Sequence, residues 1–382
     1  MSLKRIFSLL LLIVVVLSFQ KSEENIRRFN QPELFEKVQK VTLHKIEFND
    51  TIPGNTLLEY SDKMGVPLMY SREILTGVCI DGKCRLVKIN LFWHVSGRYL
   101  GFELPQKEFL SKTEHEPFAP AEYDRLHALL DNSLSPLPQY SLDELVPEKD
   151  SAKNEVDAVS TATIAAVLDH IVEGAVYTTY TLWHIVYGET KREIENLTNK
   201  NLTPKLVLRL LESEVLKDKI WTLNHISEKT EITPGIRNKI FEFIGGEDVY
   251  LTERALNALK PATLANKEIQ EQLTEGFSEA GYLQKRLILK RLEQAPVIHP
   301  ETAEKLAGEM KNLRGALVKT AIGLFEKHDI ENKKVINEIA GLLQNENRFI
   351  ANQAVQYLEQ LNTPDKKTQR ELDKYKKKYN LN

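Results

Sequence analysis

The sequence predicts an α+β chain: a small antiparallel-sheet domain followed by an all-α solenoid of about five helix pairs. Two observations carry that expectation. First, Leu259, Leu292, Phe325 and Leu358 recur every 33 residues, and Ile226 extends the series backwards. Three more series keep the same interval: Thr222, Ala255, Ile288, Ala321, Ala354; Val207, Ile240, Leu273, Leu306, Ile339; and Leu211, Ile244, Phe277, Met310, Leu343. A period in this range marks stacked repeats, because each unit buries its apolar stripe only against its neighbours. Second, residues 77–104 are rich in β-branched and aromatic residues and carry an Asp81-Gly82 turn signal.

Taken in order, the chain opens with Lys4 and Arg5 ahead of a nearly unbroken apolar run, Ile6 to Phe19. That length suits the apolar core of an export signal better than a full membrane span, so residues 1–20 are read as a signal peptide, with an N-terminal anchor as the alternative. Export implies a periplasmic or envelope-associated protein in an oxidising compartment.

A domain is expected over residues 21–190. Pro32 to Val41 reads as a short amphipathic helix, and residues 43–60 alternate only weakly. In the strand region, a hairpin at Asp81-Gly82 leads into Leu86–Trp93, and Ser96-Gly97-Arg98 turns the chain into Tyr99–Leu104, making a three-stranded meander. The two cysteines, Cys79 and Cys84, flank the Asp-Gly turn at positions that a two-residue hairpin sets opposite each other. A stapling disulfide is the simplest reading; a redox-active dithiol and two free thiols are the alternatives. Lys112 to Pro120 reads as a loop, Ala121 to Leu130 as a helix, and residues 131–156 as a surface connection.

Around residues 156–188 a helix is expected to begin at Ser160 or Thr161 and run to about Val172. Ala175 to Tyr187 is strand by propensity and buried helix by length, and periodicity does not separate the two. From Thr203-Pro204 onward residues 200–364 read as helix pairs, with Thr233-Pro234 and His299-Pro300 at unit starts. Residues 365–382 read as a basic, solvated tail containing Lys374, Lys376, Lys377 and Lys378.

One stretch carries chemistry. Asp157-Ala158-Val159-Ser160-Thr161-Ala162-Thr163 resembles the covalent flavin-attachment motif of FMN-binding domains in respiratory electron-transfer complexes. That family's pattern is Asp, two residues, Ser or Thr, Gly, Ala, Thr. The resemblance covers about residues 75–188, and the repeats that follow it are similar to HEAT-type helical repeats. It implies that a flavin transferase joins FMN to Thr163 through a phosphoester. Asp157, Ser160, Thr161 and Ala162 would then be recognition or phosphate-flanking positions, with Thr161 where the family has Gly. A helix N-terminus at Ser160–Thr163 suits a phosphate, since its free N–H groups and dipole favour an anion. The competing reading is a plain helix N-cap made by Ser or Thr.

Other candidates have plainer readings. His94 reads as a strand-edge residue and His115 as part of a surface loop, with flavin contact as the alternative for His115. Tyr177, Tyr180, Trp183, His184 and Tyr187 read as core and rim aromatics that alternatively wall a planar ring. His170 lies beside Asp169 and Glu173 without a metal-ligand set. There is no nucleophile elbow, zinc-protease, P-loop or dinucleotide fingerprint. Net charge is −3 with both signs interspersed, which argues against a nucleic-acid partner. The expected function is extracytoplasmic electron transfer with a membrane or exported redox partner and a protein docked on the repeats, not a self-sufficient enzyme. The rival expectation is a flavin-free exported scaffold.

Overall fold

A computed structural model describes residues 25–50, 52–77, 86–112, 115–145, 167–227, 230–361 and 365–380. The chain divides into two compact units, residues 1–201 and 202–382. The α+β class holds: an antiparallel sheet occupies the first unit and helices fill the second.

The sheet has six strands: β1 Ile26–Phe29, β2 Lys40–Lys45, β3 Thr56–Ser61, β4 Pro67–Thr76, β5 Val87–His94 and β6 Tyr99–Leu104. Their order is β1-β6-β5-β4-β3-β2, all antiparallel. The expected meander is therefore the centre of a larger sheet, and its first strand is β4, ahead of Gly77. The expected helix over Pro32–Val41 shrinks to one turn, Leu34–Lys37. Val38 is already extended, and Lys40-Val41-Thr42-Leu43-His44-Lys45 alternates as a strand paired with β3. The Ser96-Gly97-Arg98 turn is as expected: Gly97 has φ 76°, and the His94 N–H donates to Arg98 O at 2.7 Å.

The two faces of the sheet follow from alternation along β5. Phe92 points to one side, where its ring meets Phe29, Phe35 and Tyr60 under the Leu34–Lys37 turn. Trp93 points to the other, with Tyr70 opposite it on β4. We number the helices of eight residues or more in chain order. On the Trp93 side lie α1 (Pro120–Asp131), α2 (Val176–Val186) and α3 (Glu189–Lys200). Trp93 Nε1 donates to Val186 O at 2.9 Å, fixing the end of α2 on the sheet. The Ala175–Tyr187 stretch is thus helical: length and burial override its β propensity. The first unit also extends past residue 190, because α3 buries Thr190, Ile194 and Thr198 within it.

The second unit alternates two kinds of helix. First helices are α4 (Pro204–Leu211), α6 (Pro234–Ile244), α8 (Lys267–Glu275), α10 (Pro300–Glu309) and α12 (Lys333–Gly341); second helices are α5 (Leu216–His225), α7 (Val249–Ala258), α9 (Tyr282–Leu292), α11 (Gly315–Lys327) and α13 (Arg348–Gln360). Second helices pack on second helices in succession, α5 on α7, α7 on α9, α9 on α11 and α11 on α13, and α8, α10 and α12 pack likewise. All four 33-residue series are buried at every position. The caps keep the same interval: Thr233, Asn266, His299 and Asn332 precede the first helices.

Asp365 continues that cap series, and its carboxylate accepts from Lys367 N and Thr368 N. The expected basic tail is therefore a helix, α14 (Lys366–Tyr379). Leu372, one period after Ile339, is buried and packs in the repeat core, while the lysines stay outside.

Candidate functional site

The five residues of the flavin-attachment-like motif, Asp157, Ser160, Thr161, Ala162 and Thr163, lie outside the described residues, as do Cys79 and Cys84. Their surroundings in the chain are described. Leu145, at the end of a helical turn that packs on α2, is buried; so is Val167, where the description resumes. Val172 N donates to Thr179 Oγ1 on α2 at 3.1 Å, and Arg125 of α1 donates to Asp169 O. Both ends of the motif-bearing segment are thus tied to α1 and α2.

Helix α2 carries an aromatic stripe. Tyr180 and His184 rings sit 4.0 Å apart, Trp183 and Tyr187 4.6 Å. Their polar ends are turned inward: Trp183 Nε1 donates to Asn132 O at 3.0 Å, Tyr180 OH to Tyr140 O at 3.1 Å and Tyr187 OH to Leu130 O at 2.8 Å. Burial pushes the Tyr187 hydroxyl well above its ordinary pKa, with the Asp131 charge acting the same way. Trp183 is buried and Tyr180, His184 and Tyr187 are half-buried, with both tyrosine hydroxyls engaged.

Three polar clusters in this unit have no counterpart in the sequence reading. The first centres on Arg72, fully buried on β4. Its Nη1 and Nη2 donate to Asp50 Oδ2 (2.6 Å) and Oδ1 (3.0 Å), Nη1 also to Thr190 Oγ1 (2.7 Å), and Nη2 to the carbonyls of Ile52 (3.2 Å) and Gly54 (3.0 Å). The guanidinium also lies 3.7 Å from the centre of the Phe48 ring. This fork ties β4, the loop before β3 and α3.

The second centres on Glu59, which accepts from Ser61 Oγ (2.8 Å) and Tyr70 OH (3.3 Å) and pairs with His44 Nε2 (2.9 Å). Burial first, then the Glu59 charge, keeps the Tyr70 hydroxyl protonated far above its usual range. In the third, His127 Nδ1 meets Tyr99 OH at 3.1 Å and its Nε2 meets Asn30 Oδ1 at 2.9 Å. The amide oxygen can only accept, so those partners assign the proton to Nε2 and leave Nδ1 to accept from the tyrosine. Burial lowers the His127 pKa, the neighbouring Arg28 adding to it and Asp131 and Asp124 opposing. In each cluster the charged or titratable group is already engaged by protein donors and acceptors, so all three act as braces. Partners that stand on separate strands leave no local motif. Arg72 itself stands in a polar Ser71-Arg72-Glu73 stretch of β4, so its burial left no signal in the sequence.

The single-residue candidates are placed as follows. His94 closes β5, with Nδ1 2.8 Å from Ser96 Oγ. His115 sits in a tight loop at φ 63°, beside a bridge between Ser111 and Pro117. The backbone N–H of His170 donates to Val167 O at 2.8 Å. Among the described residues no group of His, Cys, Asp or Glu could hold a metal ion, and no helix is long and apolar enough to cross a membrane. No protein-family model, curated protein or solved structure matches the chain.

Proposed function

We propose that the chain is an extracytoplasmic flavoprotein with FMN joined to Thr163 through a phosphoester, and that its repeats form an α-solenoid that docks a partner. The observation that carries this reading is the Asp157-to-Thr163 motif, set behind an antiparallel sheet and ahead of a helical region. The aromatic stripe of α2 supports it, because both ends of the motif-bearing segment are tied to α1 and α2. When bound, FMN supplies the electron-accepting chemistry. The chain supplies the acceptor hydroxyl of Thr163, the recognition positions Asp157 and Ser160, and apolar ring faces that exclude water. Electrons would pass between a membrane or exported redox protein and a docked acceptor.

The scaffold reading has its own support: the polar ends of Tyr180, Trp183 and Tyr187 are all spent inside the fold, as ordinary core aromatics would be. The two separate in one experiment. Protein exported from a host that carries the flavin transferase is denatured, and its intact mass and flavin absorbance are measured. The flavoprotein reading expects the mass of one FMN, lost in Thr163→Val, lowered in Asp157→Ala, and kept or raised in Thr161→Gly. The N-cap reading expects no colour in any of them and a loss of about 0.5–2 kcal/mol of stability in Ser160→Ala. Colourless wild-type protein from a competent host removes the flavoprotein and leaves the scaffold.

A further inference from the structure

The third helix pair, α8 and α9, departs from the repeat at two positions that line one cleft. Gly276, just past the end of α8, stands where the other units carry Phe243, Glu309 and Leu342, each a multiple of 33 residues away. Gln284, in the first turn of α9, stands where they carry Leu251, Leu317 and Ile350. The cleft measures about 440 Å³ and is built from the ends of α6 and α8 and the start of α9. That volume falls in the range of small-molecule sites. A Cβ at Gly276 would meet nothing within 4 Å, so the missing side chain leaves open space.

The walls select a ligand. Ile244, Leu273 and Ile288, all buried members of the repeat series, form an apolar wall with the half-buried Phe241. Glu275 and Glu279 line the same cleft, are exposed, and have no ion-pair partner among the described residues. No lysine, arginine or histidine lines it. The cations of the flanking sequence are engaged elsewhere: Lys239 pairs with Glu242 at 2.7 Å, and Lys285 donates to Ser278 O at 2.8 Å. An adjoining cleft shares Gln272 and Glu275 and adds Glu268, Glu271, Glu301 and Lys305. Counting Arg237 and Lys267, which pair with Glu268 and Glu301, the two clefts set five carboxylates against three cations. The C-termini of α6 and α8 add partial negative charge. One acceptor is open as well. The side-chain oxygen of Gln272, covered at the wall, has no hydrogen-bond partner. Gln284 is spent by contrast: its Nε2 donates to Gly246 O at 2.6 Å, and its Oε1 accepts from Gly281 N at 3.0 Å.

We propose that this cleft binds a small organic cation, a protonated primary amine on an apolar body. The body covers the Ile244, Leu273 and Ile288 wall. The ammonium supplies the donor that Gln272 Oε1 lacks, and Glu275 and Glu279 balance its charge. The inference goes beyond the function proposed above and is independent of the flavin.

The test titrates the full chain calorimetrically with hexylammonium and phenethylammonium. Hexanoate reverses the charge, trimethylhexylammonium keeps it but removes every N–H, and Nα-acetyl-lysine amide offers the same amine from a peptide. The expected result is saturable binding of a primary amine with a Kd below about 1 mM, weakened by salt. The trimethyl compound should bind about threefold or more weaker, and hexanoate not at all. Gly276→Leu, which gives this unit the residue of the last one, fills the open space and should weaken binding about tenfold or more. Glu275→Gln/Glu279→Gln changes only exposed carboxylates, leaves the fold intact, and should weaken it about threefold. Failure of both amines to bind, binding of hexanoate or of the trimethyl compound as tight as that of hexylammonium, or wild-type affinity in either variant overturns the proposal. Tighter binding of acetyl-lysine amide than of hexylammonium also overturns it, and gives the cleft to a partner's lysine.

Discussion

Arg72→Ala should destabilise the first unit by about 3–4 kcal/mol. The guanidinium is fully buried, and five hydrogen bonds converge on it from Asp50, Thr190, Ile52 and Gly54. Removing one partner of a buried ion pair costs about 3–5 kcal/mol, because the other charge is left uncompensated. Asp50 keeps 20% of its side chain in solvent, which lowers its share. The Thr190 hydroxyl is fully buried and loses its donor, and an unsatisfied buried group costs about 1–3 kcal/mol. Water entering the vacated space relieves part of each term, and the sum stays near the lower half of the range. Urea unfolding followed by tryptophan fluorescence measures it in a Trp221→Phe background, where Trp93 and Trp183 remain and both belong to the first unit. Thr190→Val, which removes one hydrogen bond, should cost about 0.5–1.5 kcal/mol. A cycle through Asp50→Ala should show coupling between Arg72 and Asp50. A loss under about 1 kcal/mol for Arg72→Ala, or additive single losses, would refute the view that this fork joins the sheet to α3.

Three further outcomes follow from geometry already described. Gly101→Ala should destabilise by about 1–3 kcal/mol or more, since its Cβ would fall 2.2 Å from Arg28 O and force β1 away from β6; unchanged thermal stability would show that β1 is not held as described. His127 is half-buried and its folded pKa is depressed, so the unfolded chain binds the proton more readily; stability is full above the unfolded pKa of about 6.5 and falls as pH drops through it towards the folded value. Unfolding midpoints between pH 7.5 and pH 5 should fall more steeply in wild type than in His127→Gln, and parallel slopes would refute this. For the cysteines, Thr76 pairs with Val87, and each stands three residues from a cysteine of the same hairpin. Exported protein should therefore resist thiol labelling until reduced, and full labelling without reductant would exclude the disulfide.

How much of this was legible depended on whether the information was local. The repeats were readable because one helix pair buries the same positions each time, so Ile240 and Leu273 announce each other across 33 residues. The same logic reaches α14: Leu372 falls one period after Ile339, and only the lysines crowding Lys374–Lys378 made the segment look like a tail. The outer strands were not readable. β2 is an edge strand with Val41 and Leu43 exposed, so it lacks the apolar contrast that marks a half-buried strand. α2 was ambiguous because its half-exposed face, Tyr177, Tyr180, Thr181 and His184, carries aromatic residues and no acid, Lys or Arg, so hydropathy shows little helical period. The Arg72, Glu59 and His127 clusters join strands and helices far apart in sequence, and no spacing rule could have assembled them.

The two halves of the proposed function stand on different kinds of support, and this decides what should be measured first. The repeats rest on described side chains: four apolar series at a 33-residue interval, buried at every position. The flavin rests on seven residues whose chemistry is sequence-borne, set between two segments tied to α1 and α2. A phosphoester on Thr163 needs an acceptor hydroxyl and a transferase able to reach it, so attachment tests accessibility of that segment as well as its sequence. Thr161 sharpens the test. A β-branched residue disfavours the positive φ that glycine adopts freely. If the transferase needs that backbone shape, Thr161→Gly should raise the flavinylated fraction while leaving the unfolding free energy of the first unit within about 0.5 kcal/mol of wild type. Equal flavinylation in both proteins would show that the enzyme reads the side chains of Asp157, Ser160 and Thr163 and is indifferent to the turn between them.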